Sequence, residues 1–272
     1  MIKEKGGNIF MQNNKKRIFS CNNLEMNFGG LYALVDINID IFENEAVGLI
    51  GPNGSGKTTF FNVITGIYKA TGGNLYFMDE GLLGKETYDI AKRGISRTYQ
   101  SSRLCLKLTI LDNILIGMYN NQTAGYFDAI FNRKKLIAEV KTFKERAIEL
   151  LNVFNPDLID KLFNPVGELP QIDRRRVEIC RAMAGEPKMI LLDEPSAGMT
   201  PDETAEMMDD IKKVRSSMKN VSIIIVEHNM SVISSVSERV IAINFGKEIA
   251  RGTYEEVSNH PDVREAYLGK EV

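Results

Sequence analysis

The feature that most constrains this chain is the run AVGLIGPNGSGKTTFFNVITGIY, residues 46–68. It reads as a continuous apolar strand, a glycine-rich loop, and a helix that begins near Lys57. Such a loop lets backbone N–H groups converge on phosphate oxygens, and the helix N-terminus adds positive partial charge at the same point. Lys57 is placed to reach the β- and γ-phosphates of a nucleotide, and the Thr58 hydroxyl to ligate magnesium. Gly51, Pro52, Asn53, Gly54, Ser55, Gly56, Lys57, Thr58 and Thr59 are thus the expected phosphate site, with ATP and Mg2+ as its implied ligands.

A strand that is apolar without alternation is covered on both faces, as in a parallel sheet flanked by helices. Two further runs of this kind follow, MILL at 189–192 and SIIIV at 222–226. The segment before the loop differs: Val35, Ile37, Ile39 and Ile41 alternate with Asp36, Asn38 and Asp40, which predicts a half-buried antiparallel strand. A turn at Glu43-Asn44-Glu45 separates it from the buried run. Between Leu106 and Phe163 the text becomes helical, with Leu136, Val140, Phe143, Ala147, Leu150 and Leu151 at three- and four-residue spacing. That stretch is either a helical insertion in an α/β core or one more layer of the core.

MILLDEP supplies a second constellation. Asp193, at the end of an apolar strand, can hold magnesium through water, and Glu194 beside it can polarise an attacking water. Thr200-Pro201-Asp202-Glu203 is a capping box with proline at the first helical position, so a helix starts there whatever the function. His228 closes the third apolar run and is one of two histidines in the chain. The three strand ends should gather on one edge of a parallel sheet, where such sheets bind ligands. His260, in SNHPDV, has no comparable setting and reads as surface.

Composition narrows the partners. Lys and Arg number 34 against 36 Asp and Glu, so no global field points to nucleic acid or anionic lipid. The run Arg174–Arg176 reads as a solvated helix face. No apolar stretch approaches the roughly 20 residues of a spanning helix, so contact with a membrane must come from a docking surface. The first 16 residues read as a loose tail with no secretory signal and a second possible start at Met11. Cys21, Cys105 and Cys180 are odd in number and lack metal-ligand spacing, which fits a reduced cytoplasmic setting with Cys180 as a small core residue on a helix.

With these residues in place, the chain from about Ile18 onward resembles the nucleotide-binding subunits of ABC transporters. LEMNFGGLYAL looks like the family's adenine-stacking segment, with Phe28 as the aromatic platform. GISRTYQSSRLCLKLTILDNILIG looks like its glutamine loop, in which Gln100 would sense magnesium and γ-phosphate. The resemblance makes Glu194 the general base and His228 the switch histidine, with Thr58, Gln100 and Asp193 around the metal. FGGLYAL, the RTYQ segment and the end GTYEEVSNHPDVREAYLG resemble the ATPases of branched-chain amino-acid importers, a pattern shared by urea and other amide importers.

The resemblance also exposes a departure. Leu169, Pro170, Gln171, Ile172 and Asp173 occupy the place of the family's LSGGQ signature, which faces the nucleotide of a partner subunit. Pro170 has no amide to donate. Gln171 and Ile172 add bulk where backbone should approach closely, and Asp173 adds negative charge near phosphate. Either a helix N-terminus aimed at the phosphate suffices, or this half-site is weak. The second alternative implies an asymmetric pair in which the other ATPase subunit is a different chain; a homodimer is the other arrangement.

The resemblance thus implies an α/β P-loop NTPase (RecA-like) core with an N-terminal antiparallel β subdomain, all within 17–272, and a helical subdomain inserted at about 102–182. It implies an ATP-hydrolysing subunit at the cytoplasmic face of the membrane. Its partners would be transmembrane permease subunits, a second ATPase subunit and, indirectly, a substrate-binding protein, with no nucleic acid. The competing readings are the ATPase of a lipid or lipopolysaccharide exporter, a soluble non-transport ATPase, and a regulatory subunit with little turnover.

Overall fold

A computed structural model describes residues 15–125, 128, 131–218, 220–228 and 230–268. The tail expected over residues 1–16, with Met11, lies outside the described residues as far as residue 14. Strands β1 (Arg17–Phe28) and β2 (Leu31–Phe42) form a hairpin through Gly29-Gly30. After β3 (Ala46–Ile50) and α1 (Lys57–Ile64), strands β4 (Gly72–Phe77) and β5 (Glu80–Gly81) complete an antiparallel sheet of order β2-β1-β4-β5.

The predicted half-buried strand exists, but its inward set changes partway along. Ile37, Ile39 and Ile41 are buried as expected, whereas Leu34 replaces Val35. The pairing slips by one residue between Leu24↔Ile37 and Met26↔Leu34, and Asp36 sits at φ 52°. An extra residue in one strand turns the side chains before it to the other face. The Asp36 carboxylate is held there by Asn23 at 2.6 Å and Asn38 at 2.8 Å.

The three apolar runs lie side by side in the second sheet. After α2 (Thr87–Lys92) come β6 (Ile95–Arg97), β7 (Met189–Asp193), β8 (Ser222–Val226), β9 (Arg239–Asn244) and β10 (Lys247–Gly252), in the order β10-β9-β3-β8-β7-β6. Every pairing is parallel except β9 with β10. Val47, Leu49, Met189, Leu191, Ile224 and Val226 face one core, with α1 and the antiparallel sheet. Ala46, Ile190, Leu192, Ile223, Ile225 and Val240 face the other, with the helices that follow β6. This two-sided burial is why the runs carry no polar alternation.

The helical stretch contains α3 (Ile110–Ile116), α4 (Arg133–Phe154), α5 (Asp157–Asp160) and, leading back to the sheet, α6 (Gln171–Ala184). Its ends run side by side: Gly167 N–H donates to Leu106 O and Val166 N–H to Leu108 O, each at 3.0 Å. Its buried residues, among them Ile114, Leu150, Phe154 and Cys180, are continuous with those on one face of the second sheet. The apolar periodicity of α4 outruns its burial, since Ala147, Leu150, Leu151 and Phe154 are covered while Val140 is exposed. The chain continues through α7 (Pro201–Ser217), α8 (Met230–Val236), α9 (Tyr254–Ser258) and α10 (Pro261–Leu268). Thr200 and Glu203 close the expected capping box on α7. Among the described residues no helix is long and apolar enough to cross a membrane. Cys180 is fully buried on α6 as expected, Cys21 is buried with its thiol pushed up to about 12, and Cys105 is exposed.

Candidate nucleotide site

The loop from Gly51 to Gly56 leaves β3 and enters α1 at the carboxyl edge of the parallel strands. Two of its glycines are required by close approach: a Cβ on Gly51 would lie 2.1 Å from Ile243 O, and one on Gly56 2.6 Å from Ala33 O. Lys57 is buried, and its Nζ donates to Gly51 O at 2.7 Å and Pro52 O at 3.0 Å. Burial lowers the pKa of this ammonium, and the carboxylates of Glu194 and Asp193 partly restore it. Thr58 stands exposed on the first turn of α1, where a hydroxyl can meet a cation.

The other strand ends arrive at the same place. Glu194, one residue past β7, takes a left-handed backbone at φ 47° and donates its N–H to Val226 O at 2.9 Å. Its Oε2 accepts from Gln100 Nε2 at 2.7 Å, and its Oε1 lies 2.6 Å from His228 Nε2. Three residues separated by up to 128 positions in sequence are thereby gathered on one carboxylate. Glu227, which the sequence reading passed over, is buried and binds Ser196 through both its N–H (2.8 Å) and Oγ (2.7 Å). It fixes the turn after Glu194 to the strand end that carries His228.

Asp193 has a neighbour that went unrecognised in the sequence. Its Oδ2 accepts from Arg97 Nη2 at 2.7 Å, with both side chains 4% exposed. Arg97 also donates to Asn62 Oδ1 of α1 at 2.7 Å, and its guanidinium lies over the rings of Phe61 and Tyr99. It ties β6, the phosphate-loop helix and the end of β7 together behind the site. The available signal was a charged residue in the short strand entering Gln100, but nothing local names a partner 96 residues away.

The donor set fits a hard divalent cation. Thr58, Gln100 and Asp193 offer oxygens, and among the described residues no group of three or more His, Cys, Asp or Glu forms a cage of its own. Magnesium characteristically takes one or two protein ligands and completes its shell from phosphates and water. Phe28 is 42% exposed at the end of β1, with Tyr68 set edge-on to it at 5.2 Å.

The segment 169–173 sits differently from its expected aspect. Leu169 and Ile172 are buried in the helical core, so the Ile172 side chain points away from the exposed face. Asp173 is also buried; its Oδ1 accepts from Arg176 at 2.9 Å and from Asn155 at 3.2 Å. The expected free negative charge is therefore corrected, because Arg176 neutralises it. Pro170 caps α6 without a side-chain bond, and Gln171 Nε2 reaches Ala197 O at 2.8 Å. The expectation of a solvated arginine face is corrected as well. Arg175 and Arg176 are buried; Arg175 donates to Tyr99 O (2.8 Å) and Gln100 O (3.1 Å), while Arg176 joins Asp173, Glu206 and Asp210. These arginines bind α6 to the glutamine loop and to α7. His260 lies beside α10 with its side chain 40% exposed, in keeping with a surface position.

The family profile described as ABC transporter matches residues 34–197, and that of the branched-chain amino acid ATP-binding cassette transporter matches residues 247–272. The high-affinity branched-chain amino acid transport ATP-binding protein LivG of Escherichia coli K12 is 37% identical over 253 residues, 93% of this chain and 98% of that protein. The lipopolysaccharide export system ATP-binding protein LptB of Haemophilus influenzae is 33% identical over 257 residues, 93% of this chain and 98% of that one. A crystal structure of an ABC transporter's ATP-binding cassette in its ADP conformation superposes with a TM-score of 0.79 at 30% identity, covering 94% of this chain and all of that one.

Proposed function

The chain belongs to the ABC transporter family of ATP-binding cassettes, and from that premise we propose that it energises an importer for branched-chain amino acids or related amino-acid and amide substrates. The observation that carries the enzymatic part is the Glu194 carboxylate held between Gln100 and His228 beside the phosphate loop. The match of residues 247–272 to the branched-chain profile supports an importer over the exporter that LptB represents.

In this reading Lys57 exchanges its loop carbonyls for the β- and γ-phosphates, and the loop amides receive the remaining oxygens. Phe28 stacks on adenine, with Tyr68 fixing its ring. Glu194 orients a water against the γ-phosphate and takes its proton, for which it must trade one of its two present partners for that water. Gln100 and His228 hold the carboxylate until then. A bound magnesium ion, held by Thr58, Gln100 and Asp193, would neutralise charge building on the phosphates. Arg175 links the backbone of Gln100 to α6, so nucleotide occupancy and the helical segment move together.

Lys57→Ala should weaken ATP affinity by about 10- to 150-fold, the loss of charge-assisted bonds worth roughly 1.5–3 kcal/mol. Titration with a fluorescent ATP analogue checks it, and an unchanged Kd would remove Lys57 from the site.

The working unit is an assembly on permease subunits with a second ATPase subunit, and this chain is one half of an asymmetric pair. Ile172 and Asp173 face inward, so the departure from a donor-rich signature reduces to Pro170, which lacks an N–H, and Gln171, whose amide is spent on Ala197. That surface stabilises the partner's nucleotide poorly, while the site built on Lys57 and Glu194 is complete. Knocking out the phosphate-loop lysine in each subunit separately should show that loss of Lys57 does far more damage to ATP turnover. Serine at 170 and glycine at 171 should narrow the gap; equal damage from both knockouts contradicts the asymmetry. For the substrate class, purification through a tag on this chain should bring down a permease pair whose liposomes accumulate leucine, isoleucine or valine. Accumulation of none of these or of simple amides, or extraction of lipid instead, would overturn the importer.

A further inference from the structure

The end of the chain touches the nucleotide loop directly. Gly51 N–H donates to the Tyr267 hydroxyl of α10 at 2.8 Å, while Gly51 O accepts from Lys57 Nζ at 2.7 Å. Gly51 is thus held at its N–H by the last helix and at its C=O by the phosphate-binding lysine, through the two peptide groups that flank its Cα. The far end of the loop is held from the same part of the chain: Gly246 N–H, in the β9–β10 turn, donates to Ser55 O at 2.8 Å. Between these two anchors lies a cavity of about 490 Å³ lined by Pro52, Gly54, Phe245, Ile249, Asp262 and Ala266. The loop's outer side thus faces open space, and these two bonds tie its first and fifth residues to the C-terminal part of the chain.

We propose that Tyr267 is a positioning residue for ATP binding: its hydroxyl fixes the N–H of Gly51, and with it the point at which the phosphate loop leaves β3. This gives the C-terminal segment, matched as a unit over 247–272, a task at the nucleotide. The bond is directional in the required way. Gly51 N–H points back toward α10, not into the loop, so no phosphate oxygen competes for it. Burial raises the pKa of the Tyr267 hydroxyl, so it stays a neutral acceptor across the physiological range. Without that acceptor the Ile50–Gly51 peptide is free to tilt, and the first residue of the loop is no longer fixed where the loop leaves β3.

The inference rests on the reading of residues 51–59 as a nucleotide site, and the test separates the two. Tyr267→Phe keeps the ring and removes only the oxygen, while Tyr267→Leu removes the ring as well. Wild type and both variants are titrated with ADP and ATP, melted, and followed by amide hydrogen exchange. For Tyr267→Phe the expected results are nucleotide affinity about three- to tenfold weaker, faster exchange at Gly51, and an unchanged melting temperature. Tyr267→Leu should lose as much affinity and melt earlier. Unchanged affinity and Gly51 protection in Tyr267→Phe, with wild type binding normally, would overturn the proposal alone. A loss of affinity that appears only in Tyr267→Leu, in step with its melting temperature, would overturn it too, by reducing Tyr267 to packing. Failure of wild type to bind either nucleotide would overturn the site reading and this proposal with it.

Discussion

Glu194→Gln is expected to bind ATP with near-native affinity and to hydrolyse it about 10²- to 10⁴-fold more slowly, the usual contribution of a positioned general base. Glutamine keeps the shape and one carbonyl acceptor, so the bond from Gln100 survives. It lacks the second oxygen that now lies against His228 and cannot take a proton. Binding and chemistry should therefore separate, with kcat falling and the ATP Kd holding. Single-turnover phosphate release in the assembled transporter is the readout. A rate equal to wild type would assign the base elsewhere.

Arg97→Met should be among the most destabilising single changes in the chain, at about 3–5 kcal/mol, because it strands the Asp193 carboxylate in a dry setting. The methionine fills most of the volume between Phe61 and Tyr99, so lost packing is the smaller part. Asp193→Asn in the Arg97→Met background should recover part of the loss, since the buried charge then disappears from both sides. Denaturant unfolding of the two singles and the double measures the coupling. Additive losses would mean that the pair contributes nothing as a pair.

The parts of this molecule that could be read in the sequence are those whose physics is local. The runs at 46–50, 189–192 and 223–226 announced two-sided burial by lacking polar residues, and all three lie in adjacent parallel strands. The glycines at 51 and 56 announced a backbone with no room for Cβ. What could not be read depends on partners far away in the chain. The slip in β2 lies beside the Asn23–Asp36 contact across the hairpin, which alternation alone cannot show. Arg175 and Arg176 have the composition of a solvated face, yet they are buried because the carbonyls of the glutamine loop and the carboxylates of α7 meet them. The Asp173 charge is neutralised by Arg176, one turn further along the same helix, a pairing that the signature position alone does not show. The roles of Glu227 and Tyr267 are likewise invisible without the elements folded next to them.

The central claim is that ATP turnover at the site built on Lys57 and Glu194 is coupled to import of branched-chain or related amino acids. The most direct measurement is ATPase activity of the complete transporter in proteoliposomes, with its external binding protein either empty or saturated with leucine. The account predicts that the saturated binding protein raises turnover, that leucine accumulates in the same vesicles, and that Glu194→Gln in this chain abolishes both responses. Turnover indifferent to the loaded binding protein, or leucine uptake that persists in Glu194→Gln, would contradict it.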